Sequence, residues 1–493
     1  MFVILSRLKK KGKYSLVFFL WICYDSYEKK DKTFKTKVRE PMQMDLTRGG
    51  ITRPMLLFAG PMIAGNLLQQ CYNIADTLIV GRALGASALA SVGFSFTLMT
   101  FLTSVLLGLC MGSGALWSML YGAEREEELK RCLFASFVFI GAVAVLLNVG
   151  VLALLEPVMT LLRIPAGAWD ETRAYLRVVL LGVCFTFLYN YFACLLRSVG
   201  NSVAPLAFLA VSTVLNIGLD LIFVPVLHWG VAGVAIATAI AYTVSAATLF
   251  IRLLKTNSVV RVTLRDLAID PVALKRIVKI GLPAGIQSAV FAVANIIIQS
   301  AINSLGTEVM AASSAAMSLE YVCYNLLNSF SQACTTFVGQ NHGARQIDRC
   351  TKTLKVCLVE GGIVALTTII VIVGLGREIL SLFNSDPNIV SIGYIRVCSI
   401  FPAYAFSMFY ENMSGYLRGF GISLTPALIT MICVCGIRFY WVFCVFPHFR
   451  TFANIMMVYP ISLGTTAFFM VVAVLLCHPA RTYRTTQAKA TAR

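Results

Sequence analysis

Long apolar runs separated by short polar gaps make up almost all of the sequence after residue 45. They lie at about 54–82, 88–120, 132–155, 174–199, 204–227 and 230–254. A polar, amphipathic stretch, 255–280, interrupts the pattern, and six more runs follow at about 281–303, 309–338, 354–376, 391–417, 424–446 and 452–477. Each run reaches the 20 or so residues that an α-helix needs to cross the hydrocarbon core of a bilayer. The pattern predicts an all-α integral membrane protein with twelve transmembrane helices in two pseudo-symmetric six-helix bundles, 46–254 and 281–478, joined by 255–280 as a cytoplasmic linker. Residues 479–493 form a tail, and residues 1–45 a basic extension expected to be disordered. The apolar piece from Leu16 to Tyr24 is too short to span, and Met42 or Met44, just before the first helix, is a plausible start of translation.

The two bundles repeat each other. Lys130-Arg131-Cys132 recurs as Asp348-Arg349-Cys350, and Tyr175-Leu176-Arg177-Val178 as Tyr394-Ile395-Arg396-Val397. Leu196-Arg197 with Gly200, Ser202 and Pro205 recurs as Leu417-Arg418 with Gly421, Ser423 and Pro426. Pro61 and Asn73 match Pro283 and Asn295, and Gly122-Ala123 matches Gly343-Ala344, at offsets of 218 to 222 throughout. Six helices per repeat is an even number, so both repeats enter from the same side and are related by an axis along the membrane normal. Transporters of that build hold substrate between the halves and alternate access by rocking.

Composition agrees: 58% of the 493 residues are apolar and 13% charged, where soluble domains carry about 25%. The net charge of +18 does not signal nucleic acid, because the basic residues sit in the gaps between apolar runs and there is no aromatic-basic stretch suited to bases. After residue 41, the segments on the side of the N-terminus hold 22 Lys and Arg and the opposite segments eight. That bias places both termini in the cytoplasm of a multi-pass plasma-membrane protein. Most of the 15 cysteines lie inside apolar runs and are read as small helix-facing residues, not as disulfides or a metal site. There is no Gly-x-x-x-x-Gly-Lys-Ser/Thr loop, His-Glu-x-x-His pair or nucleophile elbow, so neither ATP-driven transport nor an enzyme is expected.

The informative residues are charges inside apolar runs. Asp76 falls late in the first helix, Asp220 late in the fifth, and Asn216 one turn before it on the same face. Intramembrane carboxylates are costly and mark cavities or ion pathways; the bland alternative is a neutral, hydrogen-bonded Asp. The counterparts of Asp76 and Asp220 in the second half are read as Ile298 and Trp441, so a cation site here belongs to the first half alone. The second half carries Glu320, Glu411 and Arg438, candidates for a substrate cavity. Glu411 with Arg438 is the expected ion pair, and Glu320 has no obvious cation in its own half except that same Arg438. Glu360 is expected to reach toward the interface, and Arg197 and Arg418 to anchor the Gly turns that follow them. Pro61 and Pro283 each remove a backbone donor and can kink their helices.

The stretch Leu67-Leu68-Gln69-Gln70-x-Tyr72-Asn73-x-x-Asp76-Thr77-x-x-Val80-Gly81-Arg82-x-Leu84-Gly85 resembles the first helix of the MATE (multidrug and toxic compound extrusion) transporters. So do the paired Leu-Arg elements, Asn216-Ile217-x-Leu219-Asp220, and Gly339-Gln340-Asn341-x-Gly343-Ala344, in order from about residue 45 to 478. The resemblance implies a V-shaped pair of bundles and export of organic, often cationic or amphipathic, compounds against inward H⁺ or Na⁺, with no other cofactor. A DinF-like branch is implied, with a cation site at Asp76, Asn216 and Asp220 and polar neighbours at Gln69, Tyr175 and Thr238. Na⁺-type relatives carry a carboxylate where this chain has Gln287, a further cavity candidate, and an Asp in the tenth helix near Ser407 or Met408. The partners expected are a small-molecule substrate and membrane lipid, with the chain acting as a monomer. The competing reading is a lipid-linked oligosaccharide flippase of the same superfamily, whose cavity would need several basic residues where this sequence offers Arg438.

Overall fold

The computed structural model describes residues 43–161, 164, 169–255, 270–382 and 386–481. The N-terminal extension up to residue 42, most of the linker (256–269) and the tail beyond 481 lie outside the described residues. Six long helices make the first half: α1 (Thr52–Ala83), α2 (Ala86–Gly122), α3 (Glu126–Ala153), α4 (Trp169–Ser198), α5 (Val203–Phe223) and α6 (Gly230–Lys255). Six make the second: α7 (Pro271–Asn303), α8 (Thr307–Gly343), α9 (Ile347–Gly374), α10 (Pro387–Gly419), α11 (Leu424–Val445) and α12 (Val458–Cys477). No strand occurs among the described residues. Ten of the twelve are long and apolar enough to cross a membrane. The other two, α1 and α8, have the length, at 32 and 37 residues, but are too polar to qualify. Both lie at the junction of the halves, where polar side chains face protein and cleft instead of lipid.

Helix α7 begins at Pro271, inside the stretch read as linker. Asp270 caps it, its carboxylate accepting from the backbone N–H of Val272 at 2.8 Å and of Ala273 at 3.4 Å, with Pro271 at the first helical position. Asp386-Pro387 starts α10 the same way. Proline suits this position because its missing N–H is one of those the first turn leaves unpaired anyway. The first three turns of α7 carry Lys275, Arg276 and Lys279, which disguised them as a loop.

The halves meet along α1 and α2 on one side and α7 and α8 on the other. A Cβ on Gly122 would lie 2.0 Å from the carbonyl oxygen of Gln340, and one on Gly343 would lie 2.0 Å from that of Met119. Each glycine thus sits over the partner helix's backbone in a reciprocal crossing that only hydrogen side chains allow. Around it, Gln340 donates to the carbonyl of Ser198 at 2.8 Å, Asn341 to that of Leu46 at 3.1 Å, and Arg276 pairs with Glu128 at 3.0 Å. Farther along, Gly112 packs on Gly281, Gly108 on Ala284, and Asn66 donates to Ser329 at 3.0 Å. Among the described residues, these bonds and closest approaches all lie between the middle of the bundle and the face that carries residues 43–50, here the near face. The halves are therefore held together at the near face and the middle, and among the described residues no side-chain hydrogen bond joins them toward the far face, where the cleft between them lies.

Candidate functional site

In the far-face part of the first half, α1 and α5 bring Asp76 and Asp220 together. Their carboxyl groups are within hydrogen-bonding reach of each other. Asp220 is completely buried, Asn216 2% exposed and Asp76 9% exposed. Asn216 sits one turn before Asp220, and its amide faces the Thr238 hydroxyl of α6 at 3.4 Å. Both carboxylate oxygens of Asp220, Oδ1 of Asp76 and Oδ1 of Asn216 have no hydrogen-bond donor. Tyr175 of α4 lies within electrostatic reach of both acids. Gln69 does not join the acids: it donates to the Tyr242 hydroxyl at 3.2 Å, and Tyr242 meets the Tyr72 hydroxyl at 3.2 Å. Tyr242 was not singled out from the sequence, since a tyrosine in an apolar run carries no mark of its partner. The result is a cluster of four oxygen acceptors in a low-dielectric wall with nothing to neutralise them, an arrangement suited to a proton or a small hard cation.

The second half repeats this frame in a register that the sequence motifs partly misplace. The buried positions of α1 recur in α7 at an offset of 222, so Asp76 corresponds to Ile298. Those of α3 recur in α9, and those of α4 in α10, at 221: Thr172, Leu176 and Val179 return as Gly393, Val397 and Ile400. Two of the apparent matches, Lys130-Arg131-Cys132 with its partner and Tyr175–Val178 with Tyr394–Val397, are therefore out of register. The true counterpart of Tyr175 is Arg396. That explains why Arg177 is exposed while Arg396, which the motif pairs with it, is 2% exposed in the bundle core.

In α11 the offset changes within the helix. Thr430–Gly436 is a π-helical turn, as is Trp441–Val445. Buried Ser212 and Thr213 return 221 residues later as Cys433 and Val434, but buried Asn216 returns 222 later as Arg438. The wide turn takes up one extra residue and rotates Arg438 into the place of Asn216. By the same shift Asp220 answers to Val442, not Trp441; both are apolar, so the asymmetry of the acids stands.

The expected pairings change accordingly. Glu320 does have a cation: Arg396 donates to it through Nε at 3.0 Å and through Nη2, and Tyr404 donates to its other oxygen at 3.2 Å. Arg438 is not paired with Glu411. Its Nη1 donates to Asn295 Oδ1 at 2.6 Å, and its guanidinium lies 5.2 Å from the Phe291 ring and 4.7 Å from that of Tyr459. Glu411 interacts electrostatically with Arg418 instead. Glu360, expected to reach the interface, is buried with neither oxygen bonded.

Arg197 and Arg418 close their Gly turns with backbone carbonyls, which accept from Gly200 and Gly421, both in the left-handed region. Their side chains go elsewhere. Arg197 donates to Gln332 at 3.3 Å across the halves, and Arg418 to Gln287 at 3.1 Å. Both arginines line a small pocket between the halves, with Gln332, Thr335 and Thr336. Arg438 is thus not the lone deep arginine: Arg396 and Arg418 are buried too.

The MatE family profile matches residues 61–222 and 283–443, one copy in each half. Among curated proteins, the probable multidrug resistance protein YoeA of Bacillus subtilis is 28% identical over 404 residues, 80% of this chain and 86% of its own length. The probable multidrug resistance protein YpnP of the same organism is 26% identical over 397 residues, 80% of this chain and 88% of its own. A solved outward-facing multidrug resistance MATE family transporter of the MOP superfamily superposes with a TM-score of 0.79 at 21% identity, covering 91% of this chain and all of that one.

Proposed function

The chain belongs to the MATE family of membrane transporters and is not an enzyme, and from that premise we propose that it is a secondary active exporter of small organic molecules, driven by inward H⁺ or Na⁺. The observation that carries the coupling is the Asp76–Asp220 pair with Asn216: two buried carboxyl groups side by side, with oxygens that lack donors, where the second half has the apolar Ile298 and Val442. Two adjacent carboxylates out of water do not both stay bare. A proton or Na⁺ satisfies them, and its arrival or departure favours one state of the transporter over another. Cation and substrate need not share atoms. The Lys and Arg excess supports the near face as cytoplasmic, so the cleft opens outward, and the chain acts as a monomer in the plasma membrane with both termini inside. The named relatives are multidrug resistance proteins, which favours export over lipid-linked oligosaccharide flipping.

The test is efflux of a cationic dye from proteoliposomes under imposed pH and Na⁺ gradients in turn, for matched amounts of folded protein. Asp76→Asn and Asp220→Asn should insert and fold but lose gradient-driven export, while Ile298→Asn, at the repeat-related position, should retain most of it. Wild-type coupled export by both Asp variants would remove the first-half site.

A further inference from the structure

The pocket of the second half that answers to the acid site has the opposite charge. Where the first half has Tyr175, Asn216 and Asp220, the second has Arg396, Arg438 and Val442. Thr238 is answered by Tyr459, Gln69 by Phe291 and Asn73 by Asn295. Of the two guanidinium groups, Arg396 is neutralised by Glu320. Arg438 is not. It is 2% exposed, its Nε has no acceptor, and among the described residues no carboxylate lies within ion-pair distance of it. A buried guanidinium held only by an amide and two rings is an unfinished site.

The surroundings say what would finish it. Asn295, which holds Nη1, is itself exposed on the far-face part of α7. An amide bonded to a buried cation would be costly against lipid, so the water it meets is that of the open cleft. Phe291, beside Arg438, stacks on Tyr324 of α8 with ring centroids 6.4 Å apart and planes 18° apart. A pair of aromatic rings thus stands next to a guanidinium whose Nε has no acceptor. That combination recognises an aromatic molecule carrying a carboxylate: its ring packs against the aromatic pair and the carboxylate completes Arg438 with charge-assisted bonds.

We infer that Arg438, with Asn295, Phe291 and Tyr324, forms an anion subsite in the second half, and that the transported substrates include aromatic carboxylates. The inference rests on reading the cleft as the substrate path. It requires no coupling through the acid pair.

Equilibrium binding to the purified, detergent-solubilised protein tests it with three probes that share one ring system: pyrenebutyrate, its methyl ester and the corresponding trimethylammonium compound. Wild type should bind the carboxylate roughly tenfold or more tighter than the ester. Arg438→Gln should erase that preference and leave ester binding unchanged, and Arg438→Lys should keep part of it. Because Arg438→Gln removes a buried group, Asn295→Asp is the second variant. It supplies a carboxylate beside Arg438 without changing side-chain size, so it should fold at least as stably as wild type and still lose the preference. A folded Asn295→Asp protein that keeps wild-type preference for the carboxylate overturns the subsite, as does a wild type that binds acid and ester alike. The same measurement in phosphatidylcholine nanodiscs, with and without phosphatidylglycerol, separates the sources of anion: loss of the preference on adding the anionic lipid assigns Arg438 to a headgroup and overturns the substrate assignment. If wild type binds the carboxylate but exports no probe under any gradient, the exporter reading fails and the claim on transported substrates with it, while the anion subsite stands.

Discussion

The reciprocal crossing of α2 and α8 gives the sharpest prediction, because a rocking motion that opens the near face would have to break it. A methyl group at Gly122 would meet the Gln340 carbonyl oxygen at 2.0 Å, where real Cβ contacts essentially never fall below 3.0 Å. The obstacle is backbone, so no rotamer change relieves it; the helices must separate by at least ~1 Å, which overpacking studies put at about 1–3 kcal/mol. The clash acts only while the near face is closed. In a conformation open at that face the two helix ends are apart and the methyl group meets nothing. Gly122→Ala should therefore leave folding intact and shift the closed-to-open ratio toward opening by roughly 5- to 150-fold. Gly343→Ala, which meets the Met119 oxygen in the same way, should match it, and Gly60→Ala, with nothing within 4 Å, should do neither. Spin labels at Glu126 and Lys352, on a background freed of the exposed Cys71, Cys398 and Cys444, report the near-face separation by pulsed dipolar spectroscopy. A longer-distance population in both glycine variants, absent from Gly60→Ala, is the expected result. Wild-type distributions in both variants, in folded protein, would refute the claim that this crossing holds the near face shut.

Two further predictions concern charge. Glu320→Gln should destabilise the second half by about 3 kcal/mol or more, because it strands buried Arg396, while the double change Glu320→Leu with Arg396→Leu should recover most of the loss; thermal unfolding of the purified variants measures both. Cysteine placed at exposed positions of 124–127 should resist an impermeant thiol reagent applied to sealed cells and react in inverted membranes, and labelling in sealed cells would reverse the orientation proposed from the Lys and Arg bias.

The spans were legible because lipid demands runs of apolar residues, and the duplication because turns such as Gly200 and Gly421 fix their own sequence. The acid site was legible for the opposite reason: Asp76 and Asp220 stand out against an apolar background. What the sequence hid was rotation. A helix's facing is set by where its buried stripe falls, and a motif shared by chance, such as Tyr-x-Arg-Val in α4 and α10, put Arg396 two residues out of register. With Arg396 paired with the exposed Arg177, Glu320 had no obvious partner and Arg438 was matched with the wrong acid. The π turn of α11 was harder still. One widened turn leaves no mark in composition or periodicity, yet it decides that Arg438 and not Ile437 faces the pocket. The Asp270-Pro271 start of α7 was readable as a cap followed by proline, and was masked only by the lysines after it.

The two halves share a backbone frame and differ in how their pockets are balanced, and the difference bears on how one binding event can be felt by the other half. In the first half, the acid pair has no partner of its own in the protein, and on the proposed reading a proton or Na⁺ completes it. In the second, Arg396 is completed by the protein's own Glu320, and its balance cannot change with an ionic gradient. On the proposed coupling, the paired-acid response to that gradient belongs to the first half, because the second half has no adjacent acid pair at the matching positions. Its response must cross to the second half through the contacts the halves share. Those contacts are glycine-on-backbone crossings, the packing of Met55, Phe58 and Met62 against Phe330 and Phe337, and a few hydrogen bonds, all toward one face. A small change in the tilt of α1 at Asp76 would be levered about this seam, since α1 touches α8 through Asn66 and Ser329, ten residues nearer the closed end. Such a seam favours two discrete arrangements over a graded one, because interdigitated backbones are either engaged or apart.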